Sequence, residues 1–224
     1  VRGMAVVWWV VLPYAAAVSC VFGHVWRYRR DGFLGFLYGP HLDGAQRFGI
    51  RAFRCGLPVV FVGRVAEALA SGPHSRPEGV IRVILVAAEA VSVPLTMAGA
   101  ALILVPALIA PDAHARVTLV DRLTLPALIA ALVSAVLVAF DANSTDNGYR
   151  TAETLFTWAR SLVMLRPDIH AMQHAPALYQ GRALIVMLIV AIWPFTRLAG
   201  ILTVPAVRLA RQVAQAPYRS ASTV

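Results

Sequence analysis

Five stretches of this sequence stay apolar for about the distance that a bilayer requires, and they decide the fold class before any motif is read. They cover residues 4–26, 51–70, 80–110, 123–140 and 181–203, against the roughly 17–25 residues of a spanning helix. The third is longer than one crossing needs but too short for two, so tilt or an extension beyond the lipid absorbs the excess. Inside hydrocarbon every backbone N–H and C=O must be satisfied, which leaves helices or closed barrels. Continuous apolar runs of this length predict helices. The expected fold is therefore all-α, a polytopic membrane helical bundle with five transmembrane helices forming a single domain over 1–224. Pro13, Pro58, Pro94, Pro106, Pro126 and Pro194 fall within these runs, where neighbouring helices can satisfy the carbonyls they free. Only 14% of residues are charged, against about 25% in a soluble domain. No internal repeat stands out. The opening VRGMAVVWWVVLPY resembles a signal peptide, but its apolar run continues to Trp26 and ends in WRYRRDG, so a retained first helix is expected.

The formal net charge is +9, and all 20 basic residues are arginine. They gather at the ends of apolar segments, which fits membrane topology and excludes the solvated basic patch of a nucleic-acid binder. Arg27, Arg29, Arg30, Arg47, Arg116, Arg122, Arg208, Arg211 and Arg219 fall on one side of the five-span plan. The other side carries Arg2, Arg76, Arg150, Arg160 and Arg166 over more chain, with Asp141, Asp146, Glu153 and Asp168. The arginine bias predicts the N-terminus outside and the C-terminus in the cytoplasm. The outer connection contains ETLFTWARSLVML, whose apolar spacing suits a helix along the interface or one packed on the bundle ends. His170 and His174 are one turn apart without a third ligand, so no metal site is expected. Cys20 and Cys55 read as small hydrophobes, and Asn143-Ser144-Thr145 as a chance acceptor pattern.

Charges within the apolar runs carry more information. Arg54, Arg64, Glu67, Arg82, Glu89 and Arg182 all fall within or at the margin of predicted spans, where insertion costs about 2.5–3.5 kcal/mol at a helix centre. Arg54, Arg82 and Arg182 are close enough to span ends to snorkel. Arg64 and Glu89 are deeper. Glu67 is three residues beyond Arg64 and within pairing reach, while Glu89 sits on the antiparallel neighbour. An intramembrane polar network of Arg64, Glu67, Glu89 and Arg182 follows. It serves either as a path for protons, ions or a quinol headgroup, or as a tie between helices. The tie is favoured, because no nucleophile, triad or closed ligand set accompanies the charges.

Three segments, PYAAAVSCVFGHVWRYRRDG, FRCGLPVVFVGR and GRALIVMLIVAIWPFTRLAGILTVPAVRLARQ, resemble the gamma subunit of respiratory nitrate reductase. The local marks are Pro13-Tyr14, Trp26-Arg27-Tyr28 and Trp193-Pro194-Phe195-Thr196-Arg197-Leu198, in order and at family spacing over almost the whole chain. The resemblance implies a five-span subunit in a bacterial or archaeal cytoplasmic (inner) membrane. It implies partners too: a cytoplasmic dimer of an iron–sulfur subunit and a subunit carrying the molybdenum cofactor. In the family, quinol is oxidised near the outer side and electrons pass through two b-type haems held by four histidines.

The resemblance places those four ligands at Arg54, Arg64, Arg182 and Gly200. Axial ligation needs a lone pair, which a protonated guanidinium does not offer and glycine lacks altogether. No haem is therefore expected in this chain, and no residue is expected to be catalytic. Three functions compete. The first is a haem-free membrane anchor that docks its partners through a cytoplasmic tail over 205–224 and the loop from Arg27 to Arg51. The second is a quinol-oxidising electron-transfer subunit with noncanonical cofactor binding, drawing on Tyr14, Tyr28, Cys20, Cys55 or Met97. The third is a small transporter or channel lined by Arg64, Glu67 and Glu89. The anchor is the reading taken forward.

Overall fold

The computed structural model describes residues 2–31, 43–70, 79–109, 119–144 and 148–205. Helix α1 runs as Arg2–Val6, a π turn at Val7–Val11 and Leu12–Asp31. Then follow α2 (Gly44–Ala70), α3 (Gly79–Ile109), α4 (Leu119–Ser144), α5 (Gly148–Val163), α6 (Ile169–Gln173) and α7 (Ala177–Ile192). A 3-10 turn at Trp193–Phe195 leads to α8, residues 199–205. All elements among the described residues are helical. Four stretches are long and apolar enough to cross a membrane: Gly3–Arg30, Gly79–Pro106, Leu119–Val138 and Ala177–Phe195. Helix α2 has the length, at 27 residues, but Arg47, Arg51, Arg54, Arg64 and Glu67 keep it out of that set.

Two expectations need correction. The last apolar run is not one helix over 181–203. It stops at Ile192, turns through Trp193–Phe195 and resumes at 199, because Pro194 has no N–H and its ring opposes the carbonyl one turn back. Arg182 and Gly200 are therefore not joined by one unbroken helix, which would have separated them by an even rise of about 27 Å. Helix α4 also begins earlier than 123, which brings Asp121 into its first turn. The tail beyond 205 and His41, His74, Arg76 and His114 lie outside the described residues.

The prolines explain how the bundle is stitched together. Pro13 cannot donate to Trp9, and the chain widens there into the π turn, with Leu12 N–H reaching Val7 O instead. The freed Trp9 carbonyl accepts from Trp158 Nε1 on α5 at 3.1 Å, with the two indoles edge-to-face at 5.9 Å. Tyr14 Oη adds a bond to Leu162 O at 2.9 Å. One stripe of α1 answers the break after α7, since residues 19, 23 and 27 are spaced one turn apart. Ser19 Oγ donates to Ala191 O at 3.1 Å. Arg27 Nη1 donates to Pro194 O at 2.6 Å and also to Thr196 O. Between them Gly23 lets the Pro194 ring approach, where an added Cβ would lie 2.9 Å from Pro194 Cβ. Thr196 then caps α8, accepting from Ala199 N at 3.3 Å.

Helices α2 and α3 are joined by close backbone contact. A Cβ on Gly99 would stand 2.7 Å from Phe53 N and 2.8 Å from Gly49 O, and one on Gly49 would stand 2.9 Å from Leu102 Cβ. Small residues at such crossings let helix backbones gain dispersion contact where lipid offers no hydrophobic driving force. The pair meets the rest of the bundle through a core of Phe53, Ala100, Leu104, Leu198 and Ile201, flanked by Leu125, Leu128 and Trp193. A second core, at the other end, gathers Trp9, Ala16, Trp158, Met172, Tyr179, Ala183 and Met187. Helix α7 packs against both α1 and α4.

Candidate functional site

Helix α2 carries Arg54 and Arg64, separated by ten residues and therefore about 15 Å apart along the axis. They belong to two different layers. In the Arg64 layer, Nη1 donates to Glu67 Oε2 at 2.7 Å within the helix, and Nε donates to Glu89 Oε1 on α3 at 3.1 Å. Arg182 on α7 lies within electrostatic reach of Arg64, Glu67 and Glu89. Its Nη1 is shielded from solvent and has no hydrogen-bond partner among the described residues. The layer thus sets two guanidinium groups against two carboxylates, drawn from three helices. Arg82, about two turns before Glu89 on α3, is exposed.

The Arg64–Glu67 link costs little to organise, because residues three apart on a helix are neighbours. The Arg64–Glu89 link depends on the α2–α3 crossing. The three side chains are 25–39% exposed, so screening discounts each pair taken alone. Their combined effect falls on the cross-helix tie. Glu67→Gln is expected to lower the yield of folded chain in detergent modestly, and Glu67→Gln with Glu89→Gln more strongly, since Arg64 then lacks both carboxylates. Gel filtration of the solubilised protein checks this, and unchanged yield and melting of the double variant would remove the tie from the stabilising contacts.

The other layer is filled differently. Phe53, the neighbour of Arg54, stacks on Trp193 with centroids 6.2 Å apart and planes 21° apart. Leu198 and Ile201, on either side of Gly200, complete the same core. Gly200 is buried. Beside it Arg197 Nε donates to Asp121 Oδ2 on α4 at 3.1 Å, with both side chains largely buried. This pair was not anticipated from the sequence. In the sequence Arg197 stands out only as part of the Trp193–Leu198 segment, and Asp121 precedes the expected start of the fourth run at 123.

The four positions to which the resemblance assigns haem ligands therefore hold Arg54, Arg64, Arg182 and Gly200 in two layers. Three donor-only groups and a glycine do not fit axial ligation of iron, and Arg64 is committed to two carboxylates. The described histidines stand elsewhere. His24 Nδ1 lies 2.8 Å from Cys20 O on its own helix, and His174 Nδ1 lies 3.1 Å from His170 O on the connection before α7. Among the described residues no three His, Cys, Asp or Glu side chains converge as a metal-binding group. Chemically, the Arg64 layer can cross-link helices or hold an anion, and offers iron no lone pair from its arginines.

Similarity to known proteins bears on the same helices. The family described as nitrate reductase gamma subunit matches residues 5–219. The nitrate reductase-like protein NarX of two Mycobacterium tuberculosis strains is 28% identical over 214 residues, covering 90% of this chain. The chain spans about a third of NarX, 32% of its length. The nitrate reductase gamma chain of Bacillus subtilis (strain 168) is 27% identical over 215 residues, covering 91% of this chain and 93% of that protein. With a match over almost its full length and a helical membrane architecture to carry it, the chain belongs to the nitrate reductase gamma subunit family.

Proposed function

We propose that this chain is a haem-free membrane anchor in an oxidoreductase complex of nitrate reductase type, and is not catalytic by itself. It crosses the cytoplasmic membrane five times, with α2 as the fifth crossing, the N-terminus outside and the C-terminus in the cytoplasm. The arginine bias of its connections supports that orientation, and the glycine contact with α3 supports α2 as a membrane helix. Its partners are an iron–sulfur subunit and a molybdenum-cofactor subunit at the cytoplasmic face, docked on the basic tail 205–224.

The observation that carries the reading is the state of Arg64. At a position where the family resemblance asks for an imidazole, a guanidinium is bound to carboxylates on its own helix and on α3. Converting that site to a ligand would strand two carboxylates in the bundle. The framework of the gamma family is kept while the donor chemistry of its cofactor is replaced.

The test is an optical spectrum and iron analysis of the complex purified through this chain from cells supplied with haem. The expected result is co-purification of iron–sulfur and molybdenum subunits without a haem b band above trace. One haem b or more per chain, reduced by a quinol analogue, would overturn the anchor in favour of a quinol-oxidising subunit. Ion flux through vesicles containing the chain alone would point instead to the transport reading.

A further inference from the structure

The turn between α5 and α6 presents three consecutive exposed apolar side chains, Val163, Met164 and Leu165, between the exposed Arg160 and Arg166. Its backbone is closed by Leu165 N–H to Leu162 O at 3.1 Å and Arg166 N–H to Ser161 O at 2.9 Å. Leu165 occupies the left-handed position of this helix-ending motif, at φ 57°. Glycine is the usual residue there, because a Cβ in that conformation crowds the following carbonyl. Leucine in water would be unfavourable twice, for its backbone and for a side chain left 76% exposed.

The level of the turn is set by α1. Counting back from Trp26, beside the Arg27, Arg29 and Arg30 end, about 20 residues of hydrocarbon-spanning helix reach to the neighbourhood of Val7. Trp158 bonds to Trp9 O, and Leu162 O to the Tyr14 hydroxyl. A Tyr14 side chain leans toward the helix N-terminus, so Leu162 sits between the levels of Trp9 and Tyr14, inside the N-terminal end of the span. The inward face of α5 is already occupied, with Leu155, Trp158 and Leu162 in the core against α1 and α7. The surface of α1 at the same level, Trp8, Val11 and Leu12, is itself exposed and apolar.

From this geometry we infer that Val163, Met164 and Leu165 insert among the acyl chains of the leaflet at the N-terminal end of α1, with Arg160 and Arg166 reaching back to phospholipid phosphates. The α5–α6 unit is then a membrane-dipping hairpin and not a soluble cap. Lipid explains the leucine: its exposed side chain is solvated by hydrocarbon, and the arginine on each side is complementary to the headgroup charge. The placement does not depend on which side of the membrane α1 begins.

The test uses the full chain in phosphatidylcholine–phosphatidylglycerol vesicles, with Cys20→Ala and Cys55→Ala, and an environment-sensitive fluorophore on Met164→Cys. Quenching by doxyl-labelled lipids is expected to exceed quenching by aqueous iodide several-fold. The same label on His170→Cys, exposed on α6, serves as the polar reference and should be quenched mainly by iodide. Iodide quenching at 164 equal to that at 170 would overturn the insertion, and so would protection from both quenchers, which would mean a protein partner on the turn. Val163→Cys supplies the same readout if the first variant does not fold.

Discussion

Asp121→Ala is expected to lower the melting temperature sharply. Arg197 Nε bonds Asp121 Oδ2 at 3.1 Å, and the two side chains are 13% and 5% exposed. Removing the carboxylate takes one partner from a largely buried guanidinium held between α4 and the turn before α8, and breaking a buried pair from one side costs about 3–5 kcal/mol. Set against a total stability of roughly 5–15 kcal/mol, that is a large fraction. The loss also reaches the turn, because Arg197 stands between Thr196, which caps α8, and the buried Leu198. Thermal unfolding in detergent, followed by gel filtration, reads the effect. Asp121→Leu with Arg197→Met should recover much of the loss, since removing both charges also removes their desolvation. An unshifted melting curve for Asp121→Ala would show that the pair contributes nothing.

Why that pair escaped sequence reading is physical. The helices themselves were legible: a run of apolar residues is a one-dimensional signal, and α3 at Gly79–Ile109 coincides closely with the expected 80–110. Pairing within one helix was equally open, because Arg64 and Glu67 are three residues apart. The rotation of each helix about its axis was not. In lipid both the inward and outward faces of a helix are apolar, so α4 carries no amphipathic stripe to show which face meets α7. Asp121 and Arg197 are 76 residues apart, and Trp158 and Trp9 are 149 apart. Such contacts depend on that rotation. The break after Ile192 was written in Pro194, yet Pro58, Pro94, Pro106 and Pro126 lie inside helices without ending them. What distinguishes Pro194 is the partner opposite: Arg27 takes up the Pro194 and Thr196 carbonyls. The ligand positions themselves came from resemblance, and the structure adds which of them share a layer.

Gly99→Leu is expected to abolish folding, and Gly99→Ala should already lower the melting temperature clearly. The atoms an added Cβ meets are backbone, Phe53 N at 2.7 Å and Gly49 O at 2.8 Å. A flexible side chain would move aside, whereas backbone moves only by carrying α2 away from α3. Overpacking typically costs about 1–3 kcal/mol, occasionally more, and leucine multiplies the displaced volume. Gly63→Ala on α2 is the control. Nothing lies within 4 Å of its added Cβ, and alanine in a helix interior gains about 0.5–1 kcal/mol over glycine, so that variant should be neutral or more stable. The crossing also holds the charged layer, because Glu89 reaches Arg64 only while α2 and α3 stay in contact. Gly99→Ala should therefore weaken the energetic coupling between Arg64 and Glu89 in a double-mutant cycle, whereas Gly63→Ala should leave it unchanged. Equal coupling in both backgrounds would separate the ion pair from the helix crossing and leave the glycines a packing role alone.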